Sequence, residues 1–370
     1  MSSGELRGLV AIQEPGALVG TKSGALVISK DGVELRRVAL GRVAELHLYG
    51  DVLLSNGARD LLMRESVVVV FMTARGSYLG RLVGWESRAG ERRLAQTRRL
   101  IDAAYSLDLA RRIVEAKTRH QRAFVARLAR ERDGDDAREM RSALAGMSAL
   151  ARGLGRASSV ADLMGFEGRA SVLYYRALGR ALKHPEIRFE RRTRRPPRDP
   201  VNACLSFGYT LLGVKVDSAI RRAGLDVHIG ALHQAGRGKP ALALDVMEPL
   251  RVMVDRMVWR CFNRSQWMRD DFDEVERWDE ELVGPEAVMG GGLELRDSDV
   301  VVGPGPAVYL GASGRAVFIR EWGRLWRKSI AYVPYGAKLS LAHILDAEVQ
   351  ALARDLESGE QAWQPFLFGK

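Results

Sequence analysis

Over the first 84 residues, short apolar and β-branched runs alternate with turn-forming pairs. Leu9–Gln13, Ala25–Ser29, Val43–Leu48 and Val67–Met72 read as strands, separated by Pro15-Gly16, Asp31-Gly32 and Asn56-Gly57. After Ser55, GARDLLMRE predicts a short helix capped by that serine or its neighbour, and Tyr78–Val83 a last strand. From Ser87 the period lengthens. Leu94, Ile101, Leu109, Ile113 and Val114 recur at helical spacing, predicting one long amphipathic stretch over 91–130. ERDGDDARE at 131–139 reads as a polar connector, and helices are expected over 142–152, 158–183, 200–223, 240–263, 315–331 and 339–357. RRTRRPPR at 191–198 cannot be helix interior, because Pro196 and Pro197 lack the amide hydrogen a helix needs, so it reads as an exposed basic loop. GGG at 290–292 and GPGP at 303–306 mark a second irregular region without phosphate-loop spacing. The expected fold is α+β. A small N-terminal β-rich domain, 1–84, supplies a dimerisation surface, and a larger all-α catalytic and DNA-binding domain, 85–370, follows.

Composition narrows the class. With 370 residues, 46% of them hydrophobic, the chain can bury a substantial core. Its longest strongly apolar run, Val67–Met72, is too short to span a bilayer, and MSSGELRGLV lacks the blocks of a secretory signal. No membrane partner is expected. Cys204 and Cys261 are the only cysteines, too few for a zinc or iron–sulfur site. They read as buried free thiols in a reducing cytoplasm.

The net charge of +11 is unevenly spread. Residues 168–198 hold ten Lys/Arg against two acids, and 91–132 hold twelve against five. Residues 270–286 reverse the sign, with nine acids and only Arg277 opposing them. Arginine-rich blocks suit phosphate-backbone binding, and Arg169, Arg176, Arg191, Arg192, Arg194 and Arg195 are the candidate DNA contacts. A solvated basic surface is the bland alternative. Tyr174 and Tyr175 could stack a splayed base, though core packing explains them more simply.

The segment from Gly224 to Arg251 concentrates the chemistry. His233 precedes a Gly-rich turn, and Asp245 and Glu248 follow at i and i+3, on one face of a helix. Paired acids on an apolar segment are costly unless something positive binds them. Glu167, in GFEGRASVLYYRAL, is the third acid. Singly, each has a plain alternative: Glu167 a cap or surface residue, His233 a structural histidine, and the two helix acids partners of the macrodipole. His228 competes with His233 but does not share its helix face.

The order GFEG (165–168), DPVNACLSFGYTLL (199–212), GLDVHIGALH (224–233) and LALDVMEPLR (242–251) resembles the CRISPR adaptation nuclease–integrase, the universal protein of spacer acquisition. VVVVFMTARGSYLGRL, RRLAQTRRLIDAA, RIVEAKTRHQR and YGAKLSLAHILDAEVQALARDL extend the likeness over essentially the whole chain. His120-Gln121 stands where relatives often carry Asn-Gln. The resemblance implies that Glu167, His233 and Glu248 are metal ligands and Asp245 an adjoining acid needed for activity. Such a donor set suits Mg²⁺ or Mn²⁺. It also implies transesterification that joins a captured DNA fragment to a CRISPR repeat, a homodimer, and a small ferredoxin-like companion. Without cysteines for the iron–sulfur nuclease fused to some relatives, the chain is expected to be the integrase part alone. The competing expectations are a stand-alone nuclease of branched DNA in repair and a non-catalytic architectural binder.

Overall fold

The computed structural model describes residues 7–82, 84, 89–194, 196–233, 239–276, 306–360 and 363–366. The Gly-rich segments at 290–292 and 303–305, and most of the acidic stretch, lie outside them.

Two four-stranded sheets and one helix form the N-terminal part. The first sheet has the order β1 (Gly8–Ile12), β5 (Val43–Tyr49), β7 (Val68–Met72), β8 (Tyr78–Leu82), with only the last pair antiparallel. In the second, β4 (Val33–Ala39), β3 (Ala25–Lys30) and β2 (Leu18–Lys22) form an antiparallel meander, and the short β6 (Leu53–Leu54) pairs parallel with β2. Val10, Ile12, Leu46, Leu48 and Val69 of one sheet share a core with Val19, Leu26, Ile28 and Val38 of the other. α1 (Asn56–Arg64) adds Ala58 and Leu62 to that core, and the Ser55 side chain caps it by accepting the Ala58 N–H.

The helical part departs from the expected boundaries at identifiable residues. The long stretch is two helices, α2 (Ala89–Ile101) and α3 (Ala103–Ala129), because Asp102 takes an extended conformation and accepts the N–H groups of Ala104 and Tyr105. The supposed connector at 131–139 is mostly helix: α4 (Gly134–Gly153) begins there, with Asp135 and Asp136 in its first turn complementing the helix dipole. α5 (Val160–Ala181) opens on a Ser159/Asp162 capping box. α6 (Pro200–Arg222) starts with Asp199 as cap and proline in the first turn. The expected helix over 240–263 is divided into α7 (Ala241–Met247), a 3-10 turn at Glu248–Leu250, and α8 (Arg251–Asn263). Pro249 has no N–H to continue the ladder. α9 (Ala312–Arg327) ends before residues 329–331, which instead pair as β11 (Ser329–Tyr332) with β12 (Ala337–Ser340). α10 (Leu341–Ser358) follows, and β9 (Phe272–Val275) pairs with β10 (Ala307–Leu310). The C-terminal part is therefore mostly helical, with two short ribbons added. No described helix is long and apolar enough to cross a membrane.

α6 is the central element, and Arg222 is its one exposed residue. A helix apolar on all sides must be covered on all sides, and α7, α8, α10 and β10 pack against it. Its outer turns join the two parts of the chain. Asp217 pairs with Arg81 of β8, and the Lys215 ammonium lies 2.9 Å from Glu45 of β5. At Gly208 the helix meets α8 and α9 so closely that an added Cβ would stand 2.5 Å from Val254 and 2.8 Å from Phe318. Gly208→Ala is expected to cost about 1–3 kcal/mol in denaturant unfolding. A loss below about 0.5 kcal/mol, ordinary for surface changes, would contradict this packing.

Candidate metal centre

α3 runs past α5 and the α7–α8 junction, and the acids singled out above meet in that crossing. Glu167 lies in the second turn of α5 and is 2% exposed, so it is neither a cap nor a surface residue. Glu248 opens the 3-10 turn that Pro249 imposes, and it is wholly buried. Buried carboxylates without compensation cost several kcal/mol each. Here the compensation is the ammonium of Lys117, from the middle of α3, which is paired with Glu167 Oε1 and lies 2.5 Å from Glu248 Oε2. Ser171 donates to Glu167 Oε1 at 2.8 Å, and Arg251 donates through Nε to Glu248 Oε1 at 3.0 Å.

Electrostatics follow from that arrangement. Burial alone would raise the Glu248 pKa, but Arg251, then Lys117 and His233, hold the carboxyl well below its ordinary range. Burial likewise opposes the Lys117 charge, and Glu167 followed by Glu248 outweighs it, raising the lysine. Both groups are charged at neutral pH.

Asp245 does a different job. Wholly buried in α7, it accepts the backbone N–H groups of Ala231, Leu232 and His233 at 2.6, 3.0 and 2.9 Å. Its Oδ1 lies 2.7 Å from His233 Nδ1. With that carboxylate accepting the Nδ1 proton, Nε2 carries the lone pair. Residue 230 must be glycine for this turn to close, since a Cβ there would stand 2.7 Å from Asp245 Oδ2. His228, the competitor, is exposed, with Nδ1 beside the Lys239 carbonyl.

Three buried atoms here are candidate donors: Glu167 Oε2 and His233 Nε2 make no hydrogen bond, and Glu248 Oε2 is met by the Lys117 ammonium at 2.5 Å. They belong to the three residues expected to bind a metal, two oxygens and one imidazole nitrogen, so the donor chemistry fits Mg²⁺ or Mn²⁺. As arranged, no three His, Cys, Asp or Glu side chains among the described residues form a ready ligand cluster. The carboxylates converge instead on Lys117. The sequence reading passed over that lysine, although it shares the buried face of α3 with Ile113 and Val114.

The basic candidates divide. Arg169 and Arg176 are exposed, two turns apart on one face of α5, and Arg191 is exposed. Arg176 also lines an open groove of about 960 Å³ with Arg180 and Arg188. Arg194 is half-buried, and Arg195 lies outside the described residues. Arg192 departs from the exposed-loop expectation. It is buried, donates to the Thr193 carbonyl at 2.6 Å and to Asn202 Oδ1 at 2.8 Å, and so fastens the loop to α6. Tyr174 and Tyr175 are core residues, which removes the stacking alternative. Tyr174 and Tyr209 both donate to Asp255, at 2.7 and 2.5 Å, and the Tyr175 hydroxyl meets that of Tyr209 at 2.9 Å. The Arg251 guanidinium lies 4.6 Å from the centre of the Tyr209 ring, so this network backs the residue that grips Glu248.

The family model described as CRISPR associated protein Cas1 matches residues 10–282. The chain is 32% identical to a "CRISPR-associated exonuclease Cas4/endonuclease Cas1 fusion" of Rhodospirillum rubrum, over 92% of this chain and 54% of that protein. It thus spans about half the length of that relative. It is 30% identical to "CRISPR-associated endonuclease Cas1 3" of Thermus thermophilus, over 97% of each. A solved casposase bound to integration product shares the fold at a TM-score of 0.76 and 21% identity, over 98% of this chain and 95% of that one.

Asp255 gives the site's support a pH signature. Burial pushes its carboxyl up to about 6, against the hydrogen bonds of Tyr209 and Tyr174 and the charges of Arg251 and Arg192. A folded pKa above the unfolded value of about 3.9 means that its stabilising contribution is complete below about pH 4 and is lost as pH rises through 6. Stability relative to Asp255→Asn should therefore fall by about 2 kcal/mol between pH 4 and 6.5. A flat difference would contradict the raised pKa.

Proposed function

The chain belongs to the Cas1 family, and from that premise we propose that it is a metal-dependent DNA endonuclease and integrase of CRISPR spacer acquisition. The observation that carries this is the meeting of the buried Glu167 and Glu248 carboxylates on the Lys117 ammonium, with Glu167 Oε2 and His233 Nε2 unpartnered and His233 near enough for its charge to act on Glu248. Glu167, His233 and Glu248 hold one Mg²⁺ or Mn²⁺ ion, and Asp245 and Arg251 fix the imidazole and the Glu248 carboxylate. The ion supplies Lewis-acid stabilisation of the phosphate under attack. With a DNA 3′-hydroxyl as nucleophile the reaction is transesterification, joining a captured fragment to a repeat; with water it is hydrolysis.

Arg169, Arg176, Arg191 and Arg194 contact the backbone of the double-stranded substrate, which makes binding salt-dependent and only weakly sequence-selective. The protein works as a homodimer with a small ferredoxin-like companion, in the cytoplasm, where its two free buried thiols stay reduced. The strand-rich part supports the dimer reading, since Leu18 and Leu53, paired in register, are 40% and 60% exposed, and Val33 and Leu35 are 62% and 51% exposed.

Two measurements test this. Glu248→Ala should bind DNA within about three-fold of wild type yet join fragments at least about 1,000-fold more slowly, the scale of losing a transition-state contact. Joining at the wild-type rate would refute the assignment, and joining that ignores the companion would favour the repair nuclease. Leu18→Asp with Leu53→Asp should convert the dimer to a monomer in sedimentation, with circular dichroism unchanged. A persisting dimer would place its interface elsewhere.

A further inference from the structure

Lys117 is 5% exposed and lies between two acids of other elements, Glu167 and Glu248, that both follow it in the chain. Such an ammonium is either a fixed strut or an exchangeable cation. Its surroundings favour exchange. The helix itself is anchored: His120, one turn along α3, has Nδ1 2.7 Å from the Pro249 carbonyl beside Glu248. Any movement therefore belongs to the Lys117 side chain, a point charge on a flexible four-carbon stem. Arg251 is the contrasting case. Its planar fork is held by Glu248 Oε1 on one side and the Tyr209 ring on the other.

We propose that Lys117 is the exchangeable counter-cation of this centre: its ammonium and a divalent ion compete for the carboxylates of Glu167 and Glu248, and metal uptake expels Lys117 from between them. This rests on the metal-centre reading above. A divalent ion bound to those oxygens at about 2.0–2.2 Å would stand within a few ångströms of the ammonium, and two cations that close in a buried pocket repel strongly. The exchange has a functional consequence. Replacing a single positive charge by a double one raises the charge of the pocket by one unit, which favours an anionic phosphodiester. With Lys117 in place the two acids are already balanced by Lys117 and Arg251, and the pull on phosphate is weaker.

The test titrates Mn²⁺ into the chelator-stripped full chain by calorimetry, comparing wild type with Lys117→Met. The variant should bind Mn²⁺ about ten-fold more tightly or better, and should melt at a lower temperature in chelator, having two buried acids and one cation fewer. A crystal structure of the wild type with Mn²⁺ provides a readout independent of the variant's folding. Lys117 Nζ should lie beyond hydrogen-bond distance of both carboxylates. Equal or weaker Mn²⁺ binding by a folded variant, or a structure with both the ion and Nζ on those carboxylates, would overturn the exchange while leaving the metal centre standing. No Mn²⁺ binding by wild type or variant would overturn both.

Discussion

Burial of two carboxylates at a single helix crossing is the constraint from which the rest of this molecule can be understood. Glu167 and Glu248 come from α5 and from the turn after α7, and neither could stay ionised in so apolar a place alone. Lys117 reaches them from α3 and Arg251 from α8, so four elements are tied together by charge where apolar packing by itself would leave their registers free to slide. An entirely apolar crossing would be at least as stable. Folding stability alone therefore gives no reason for acids at this crossing.

The turn at 230–233 shows the same economy in another form. Asp245 spends its carboxylate on three backbone N–H groups and one imidazole, which fixes both the path of the chain and the tautomer of His233. Its neighbour Glu248, one helical turn later, divides its oxygens between the Arg251 guanidinium and the Lys117 ammonium. Two acids at i and i+3 that looked equivalent along the chain thus have separate partners, backbone amides and an imidazole for one and two cationic side chains for the other. Pro249 stands in the 3-10 turn at Glu248–Leu250, which packs against α3. Behind Arg251 the Tyr174, Tyr209 and Asp255 network extends the support deeper into the core.

How much of this was legible depended on whether the signal was local. α6 could be read because a helix buried on every side is apolar on every side, and α5 because its apolar positions recur at helical spacing. β4 escaped because it is an exposed strand of VELRRVA with only Val38 facing inward. The break at Asp102 escaped because an aspartate cap in mid-stretch interrupts no apolar period. β11 escaped because SIAY continues the helix pattern, and only its partner β12 makes it a strand. The acids and histidine were singled out through spacing and family likeness. Lys117 was not, since its significance comes from elements brought together by the fold. Arg192 misled for the converse reason: one arginine in a basic loop looks like its neighbours until the fold turns it inward.

The central claim, that one divalent ion is held jointly by an imidazole and two carboxylates, is most directly tested by pulsed electron paramagnetic resonance of the Mn²⁺-loaded protein. The account predicts a directly coordinated ¹⁴N coupling that disappears in His233→Gln while Mn²⁺ remains bound through oxygen. A wild-type spectrum with oxygen ligands alone would contradict it.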